Sequence, residues 1–347
     1  MKRVKLLYLY RELMPYNIQV LSSLAKMEVD ILVIHNDKNK LTPYVPKPIE
    51  NVIYIKKSSL NKKRLFDIAL EFNADVVYIS DRTIWDYNRL GIRYRMMNKP
   101  VISGNDTQWN GGKKWINIFT AFFRHHRYFS HMQVAGFRQY EYAKKLGFKN
   151  DKIVWPMYSA DVSKFNELDI TLERFSNGKD ILFVGRLNKT KGLKYLLEGW
   201  RLLDTEGSIL HLVGNGDFLD NLDLPENIRV HSFSDQDSLV QLAKKCRAFI
   251  LPSLQEPWGV VLHEFAAAGL PLIATNVCGA SDHFIINNAN GFVIKPRRSD
   301  LIAEKINWIL NAPPTKLFEM GLFSRELSKS ISPKRVAQAI LSVIDVR

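Results

Sequence analysis

The chain of 347 residues has only two cysteines, Cys246 and Cys278, so it can build neither a disulfide framework nor a cysteine-based zinc cage. That economy suits a reducing compartment, and the cytoplasm is the expectation. Long apolar runs are also missing. The longest, Trp258 to Thr275, is interrupted by His263, Glu264, Gly269 and Pro271 and reads as a buried helix followed by a strand, not a membrane span. The N-terminal run Leu6 to Tyr10 is too short for the apolar region of a signal peptide, and no small-residue cleavage site follows it. Neither a repeat of solenoid length nor a low-complexity tract occurs, which excludes collagen-like and array architectures.

What is present is a foldable composition, 46% hydrophobic and 24% charged, long enough for two domains. Its charge is lopsided. Met1 to Asp161 carries 27 Lys and Arg against 14 Asp and Glu, whereas Val162 to Arg347 carries 22 against 21. Two readings fit the basic half: a surface facing an anionic partner such as membrane lipid, a phosphorylated substrate or nucleic acid, or a solvated basic face.

Short apolar runs alternate with helical patterns in both halves, the pattern of an α/β protein with parallel sheets. Strands are expected at Val4–Tyr10, Val29–His35, Val52–Ile55, Val76–Ser80 and Pro100–Ser103, then at Ile181–Val184, Ile209–Val213, Ile228–His231, Ala248–Leu251, Pro271–Ala274 and Gly291–Ile294. Leu193, Leu196, Leu197, Trp200 and Leu203 recur at helical spacing, predicting a crossover helix over 191–203. Residues 1–161 form the first expected domain, 162–179 a polar linker and 180–331 the second domain. Residues 332–347 are expected to be a terminal helix, opened by Ser332-Pro333, that packs back on the first domain.

Two segments carry chemistry. In Val184-Gly185-Arg186-Leu187-Asn188-Lys189-Thr190-Lys191-Gly192 a strand ends in glycine and a helix follows, so Arg186 and Lys191 place two cations at the carboxyl edge of a parallel sheet. A planar guanidinium and a mobile ammonium suit a diphosphate and can neutralise a departing pyrophosphoryl group. In the run Pro252 to Glu264 a strand leads through a short loop into a helix from about Gly259, whose free N–H groups attract anions. Glu256 lies in that loop. Glu264 lies in the helix among apolar neighbours, where a buried carboxylate needs donors such as the hydroxyls of a sugar.

These motifs stand in the order GRLxxxKG, LVGNGD, LPSxxEPWGVVLHEFAAAGLPLIAT and NGFVI from Ile181 to Pro296. That run resembles the retaining, nucleotide-sugar-dependent glycosyltransferases of the GT-B fold, family four (glycosyl transferases group 1). The resemblance implies two Rossmann-like parallel-sheet domains facing across a cleft, and a hexosyltransferase that retains anomeric configuration. It implies that Arg186 and Lys191 hold the donor diphosphate, that Glu256 contacts the donor sugar and that Glu264 binds ribose hydroxyls. Gly185 closes the first strand, the amides around Gly259 and Val260 face the phosphate, and Gly214 and Gly216 border the nucleotide. An ordinary left-handed turn is the alternative for the last pair.

The first half departs from the family pattern. Trp155 to Asp161 with Phe165 stands where such enzymes carry a "PNGVD…F" segment, and Asn105-Asp106 stands where many carry His-Asp. The glycine-rich loop common after the first strand is replaced by Tyr10 to Tyr16, so Arg11 or Glu12 joins Asn105 and Asp106 as acceptor-side candidates. The second half has no DxD-like motif beside a strand end, so a metal-independent reaction without a cofactor is expected, the two cations taking the role of a divalent ion.

A third segment, Trp109 to Phe129, can align Trp115, Ile118, Phe119, Phe122 and Phe129 on one helical face flanked by Lys113, Lys114, Arg124 and Arg127. It fits an interfacial helix on anionic lipid or a core helix with basic ends. His125, His126 and His131 lack acidic or cysteine partners in sequence and are expected in solvent or core, not on a metal. The expected partners are therefore a nucleotide-diphosphate sugar, a glycan or lipid-linked acceptor and the inner face of the membrane, without nucleic acid. The competing readings are a nucleotide-sugar 2-epimerase of the same architecture and a basic nucleic-acid-binding protein.

Overall fold

A computed structural model describes residues 3–36, 47–109, 111–112, 114–205, 207–220 and 222–344. The chain divides into two compact units, Met1–Ser159 with Ile331–Arg347, and Ala160–Ser330.

The first unit is built on β1 (Lys5–Tyr10), β2 (Asp30–His35), β3 (Val52–Lys56), β4 (Val76–Ile79), β5 (Val101–Asn105), β6 (His131–Val134) and β7 (Ile153–Val154). All pairings are parallel, in the order β3-β2-β1-β4-β5-β6-β7. β1 shows why the sheet is buried on both sides. Leu7 and Leu9 join one apolar cluster, while Leu6, Tyr8 and Tyr10 join the other. The helix Pro15–Ala25 begins with proline in its first turn, and its Asn17 side chain accepts from the Met14 amide at 2.9 Å. The terminal helix Pro333–Leu341 is capped by Ser332, packs against Pro15–Ala25 and buries Val336, Ala337 and Ile340 in the β1 cluster. β6 and β7 were not legible in sequence: HMQV reads as polar and the second is two residues long.

The second unit contains β8 (Asp180–Val184), β9 (Leu210–Val213), β10 (Ile228–His231), β11 (Cys246–Leu251), β12 (Leu272–Thr275) and β13 (Gly291–Ile294), all parallel in the order β10-β9-β8-β11-β12-β13. The crossover helix forms over Leu193–Arg201 and buries Leu193, Leu196, Leu197 and Trp200.

The stretch 162–179, expected as a linker, is folded into the second unit instead. It carries the short helices Ser163–Asn166 and Leu172–Asn177, and Phe165 and Phe175 are fully buried. Arg174, also buried, donates to the carbonyls of Ala268 (2.8 Å) and Ala243 (3.0 Å), each at the end of a helix where carbonyls lack intrahelical partners. Three large side chains suffice to dock a segment whose average composition is polar.

Candidate functional site

In an open parallel sheet, ligands gather at the carboxyl ends of the strands where strand order reverses. In the second unit that place lies between β8 and β11, so the loops 185–192 and 252–259 flank it. They are knit together. The amide of Leu254 donates to the Thr190 carbonyl at 2.8 Å, and the Asn188 side chain accepts from the Thr190 amide (3.1 Å) and hydroxyl (2.7 Å), holding the turn that presents Lys191. The Lys191 ammonium bonds the Glu256 Oε2, and the Ser253 hydroxyl donates to the same oxygen at 3.3 Å. With side-chain exposures of 15% and 10%, this is a largely buried pair. Lys191 also lies against Gly185, where a Cβ would stand 3.7 Å from its Cε.

Gly259 precedes the helix Val260–Ala267 with φ of +95°, and a Cβ there would come within 2.9 Å of the Cys278 Sγ and 3.2 Å of the Glu256 Cγ. The helix start is thus pressed against Glu256. Gly214 and Gly216 have φ values of +146° and +154°, a positive region that residues with a side chain rarely adopt, and a Cβ on them would fall 2.0 Å from the Gly185 carbonyl and 2.1 Å from that of Leu187. They are glycines because the loop after β9 lies on the loop after β8. Arg186, between those two carbonyls in sequence, has an exposed side chain with no partner among the described residues.

Gly185, Lys191, Glu256 and Gly259 therefore meet at one sheet edge, with Arg186 on the same loop and Val260 opening the helix. Glu264 lies a turn deeper in that helix and is held by a hydrogen bond from Gln236. Burial, reinforced by the Asp161 charge, pushes its carboxyl up to about 7 against the pull of Gln236. The adjacent His263 was missed in sequence. Its Nδ1 accepts from the Ala160 amide at 3.1 Å and its Nε2 donates to the Ser328 carbonyl at 2.8 Å, so the ring is neutral. Burial brings its pKa down to about 4.

A concavity of about 490 Å³ lined by Asn188, Lys189, Thr190, Asp217 and Phe218 adjoins these loops. Another, of about 640 Å³, lies at the opposite, amino edge of the sheet beside Lys179, Asp180 and Lys245 and shares none of the site residues. Among the described residues, no group of three or more His, Cys, Asp or Glu side chains is placed to hold a metal ion.

In the first unit the order reverses between β1 and β4. Arg11, after β1, is turned onto Asp81, after β4, with Nη1 to Oδ2 at 2.9 Å, while its amide donates to the Ser80 hydroxyl at 2.9 Å. Burial by itself would raise the Asp81 carboxyl, but the Thr83 hydroxyl and amide together with Arg11 hold it below the usual range. Asn105 is buried; its Oδ1 accepts from the Thr107 amide at 3.2 Å and its Nδ2 has no partner among the described residues. The Asp106 Oδ2 accepts from the Tyr158 hydroxyl at 3.3 Å.

Around Asp106 stands a tyrosine cluster that the sequence reading passed over: Tyr8, Tyr10 and Tyr78 stacked, and Tyr16 edge-on to Tyr158, with Glu12 acting on Tyr16. The signal was available. Tyr8 and Tyr10 alternate on β1, and Tyr8 is in register with Tyr78 on β4.

The third segment forms the helix Lys114–Phe119 and a wide turn at Phe122–His126; Asn110 and Lys113 lie outside the described residues. The expected single face does not form. Phe129 is in the core and Ile118 packs against it, whereas Phe119, Phe122 and Phe123 are 79, 73 and 72% exposed, with Trp115 and Ile116 exposed beside them. The wide turn breaks helical register before Phe129. His125 and His131 are buried, and His126 Nε2 meets the Leu146 carbonyl at 2.8 Å.

Two doubly wound parallel sheets, one with a cation–carboxylate pair at its carboxyl edge, define an α/β protein with two Rossmann-like units. Residues 165–320 match the family model described as glycosyl transferases group 1. Over 176 residues, 48% of this chain, the sequence is 34% identical to an uncharacterized glycosyltransferase of Methanocaldococcus jannaschii, covering 45% of that protein. Over 155 residues, 42% of this chain, it is 28% identical to the capsular polysaccharide biosynthesis glycosyltransferase CapM of Staphylococcus aureus, covering 40% of it. The chain thus spans less than half the length of these curated relatives. Similarity of structure runs through the whole chain. A glycosyltransferase from Rickettsia africae superposes with a TM-score of 0.79 at 18% identity, covering 99% of this chain and 98% of that one. Anabaena HepE in complex with UDP and glucose gives 0.75 at 16% identity, covering 99% and 100%. The fold is GT-B.

Proposed function

We propose that the chain is a glycosyltransferase that moves a hexosyl group, with retention of configuration, from a nucleoside diphosphate sugar to a glycan or lipid-linked acceptor in surface polysaccharide or glycolipid synthesis. The observation that carries this reading is the buried Lys191–Glu256 pair at the β8/β11 reversal, with Arg186 on the same loop and the Gly259 helix start against it, inside the stretch that matches the family model. The carboxylate of Glu256 holds Lys191 at the sheet edge. An incoming diphosphate competes for the ammonium, freeing Glu256 to accept from donor-sugar hydroxyls, while Arg186 and Lys191 stabilise the charge that develops on the departing diphosphate. Glu264, its carboxyl pushed by burial up to about 7, is populated in both forms near neutral pH and so can donate to or accept from ribose hydroxyls. Two cations so placed supply the charge that a divalent ion would otherwise bring, so neither metal nor cofactor is required. Asn105 and Asp106, with Glu12 and Arg11 nearby, serve the acceptor.

No described helix is long and apolar enough to cross a membrane. The exposed Trp115, Ile116, Phe119, Phe122 and Phe123 beside Lys114, Arg124 and Arg127 instead support peripheral attachment to the anionic inner face of the membrane. CapM and HepE, the one acting in capsular polysaccharide biosynthesis and the other seen with UDP and glucose, are consistent with the donor and product classes.

The test is a panel of UDP-, GDP- and ADP-sugars assayed for transfer and for thermal shift, with and without EDTA. Transfer that persists in EDTA, and a product whose anomeric proton coupling matches the donor, are expected. Absence of any thermal shift or turnover across the panel overturns the reading. Release of an epimerised sugar without acceptor, or salt-dependent nucleic-acid binding alone, would replace it.

A further inference from the structure

We propose that the turn after β12, from Thr275 to Ala280, is the positioning element of the donor site: the Thr275 hydroxyl sets Glu256 through Ser253, and the Cys278 thiol sets the Gly259 amide through the Trp258 carbonyl. The inference rests on the glycosyltransferase reading and adds two residues that act through others. β11 and β12 are parallel neighbours with Leu251 opposite Ala274, so the two chains leave the sheet side by side. The loop 252–259 is then tied to the turn at three carbonyls. That of Ser253 accepts from the Thr275 hydroxyl at 2.6 Å, that of Glu256 from the Gly279 amide at 3.2 Å, and that of Trp258 from the Ala280 amide at 2.9 Å and the Cys278 thiol at 3.0 Å. Ser253, Thr275 and Cys278 are all buried. The turn is itself closed, for the Cys278 amide donates to the Thr275 carbonyl at 3.0 Å and the Ser281 hydroxyl to the Cys278 carbonyl at 2.7 Å.

These ties aim the other side of the loop. In a trans peptide the C=O and the N–H point in opposite directions, so fixing a carbonyl fixes the amide that follows it. The Ser253–Leu254 peptide shows the consequence: its carbonyl is on Thr275 and its amide is on the Thr190 carbonyl at 2.8 Å, in the loop that carries Lys191. From the same fixed backbone the Ser253 hydroxyl reaches the Glu256 Oε2 at 3.3 Å. The Trp258–Gly259 peptide is held on the same turn by its carbonyl, yet the amide of the buried Gly259 has no acceptor among the described residues. A buried N–H without a partner is costly, and beside Lys191 and Glu256 it is a donor held for an anionic oxygen of the ligand. The sulfur of Cys278 occupies the space beside Gly259, 2.9 Å from where a Cβ would stand. Burial and the Glu256 charge push its thiol up to about 12, so it keeps the proton that it donates.

The test uses the full-length protein and the donor that the nucleotide-sugar panel identifies. Thr275→Val keeps the shape of the side chain and removes its hydroxyl, whereas Thr275→Ser keeps the hydroxyl and loses the methyl. Valine should lower kcat about tenfold, the order lost when one hydrogen bond no longer orients a reacting group, with a smaller change in donor KM. Serine should stay within about twofold of the unmodified kcat even where its melting temperature falls as far as that of valine. At Cys278, alanine should raise the donor KM about fivefold and serine by less. A kcat that valine leaves unchanged, or that serine lowers as much, overturns the role of Thr275, and an unchanged KM in Cys278→Ala overturns that of Cys278. Because these variants can loosen a buried turn, hydrogen exchange of the unmodified protein with UDP, GDP and ADP gives a second reading. Amides of 253–262 and of 276–282 should slow together in the same nucleotide. Slowing of 253–262 alone overturns the positioning role and leaves the glycosyltransferase reading standing, whereas no slowing with any of the three nucleotides overturns both.

Discussion

The two sheets reverse strand order at equivalent places and furnish those places in opposite ways. Between β8 and β11 the second unit sets a largely buried ammonium–carboxylate pair against the start of a helix, with a solvent-exposed guanidinium on the same loop. Between β1 and β4 the first unit sets Arg11, 64% exposed, on Asp81 and lines the neighbourhood with tyrosine rings. A buried pair of charges is costly to desolvate and to break, whereas an exposed one contributes little. Charge density in the second unit and aromatic surface in the first are the division of labour that the proposed function calls for.

The comparison is sharpest at Glu256. Glu256→Ala should lower turnover by about a thousandfold, as removal of a preorganised charge does, and should lower the melting temperature because Lys191 is left buried without its carboxylate, while circular dichroism at room temperature shows the secondary structure retained. Turnover near that of the unmodified protein would move the site away from this loop. Next, Arg186→Ala should cost about a hundredfold in kcat without lowering the melting temperature, since its side chain is exposed and unpartnered among the described residues. Lys191→Ala should lose both rate and melting temperature because Glu256 is left buried without its cation.

Glu264 gives a pH-dependent test. Folding raises its carboxyl from the usual 4.5 to about 7, so between those values the folded chain holds a proton that the unfolded chain has released. Its contribution to stability is therefore whole below pH 4.5, falls as pH climbs toward 7 and is level above that. Urea unfolding of Glu264→Gln should lack this decline, and parallel curves for the two proteins would remove the proton from Glu264.

The smallest effects belong to the first unit. Replacing Arg124 and Arg127 by glutamine should weaken co-sedimentation with phosphatidylglycerol vesicles by about 1 kcal/mol per charge. Arg11→Ala should change turnover and stability by less than about 1 kcal/mol. A large loss at Arg11 would mean that the two reversals are equipped alike after all.

Much of the second unit was legible because its signals are local. Strand ends, the helix 193–201, the glycines and the two carboxylates follow one another at fixed spacing, and periodicity reports them directly. The linker was misread because Phe165, Arg174 and Phe175 act singly and leave no period. The tyrosine wall was missed because its five members come from four separate stretches of chain, and the amphipathic segment because a wide turn at Phe122–His126 shifts register without a sequence sign.

Taken alone, the order of residues determined the α/β alternation, the helix ends marked by Ser332 and Gly259, and the cations and carboxylates available to the site. Only the tertiary structure decided which of them meet. Lys191 and Glu256 are 65 residues apart and touch because β8 pairs with β11 on one edge as well as with its successor β9 on the other. Parallel pairing is chosen by how helices cover the sheet faces, a global packing outcome that no local window of sequence contains.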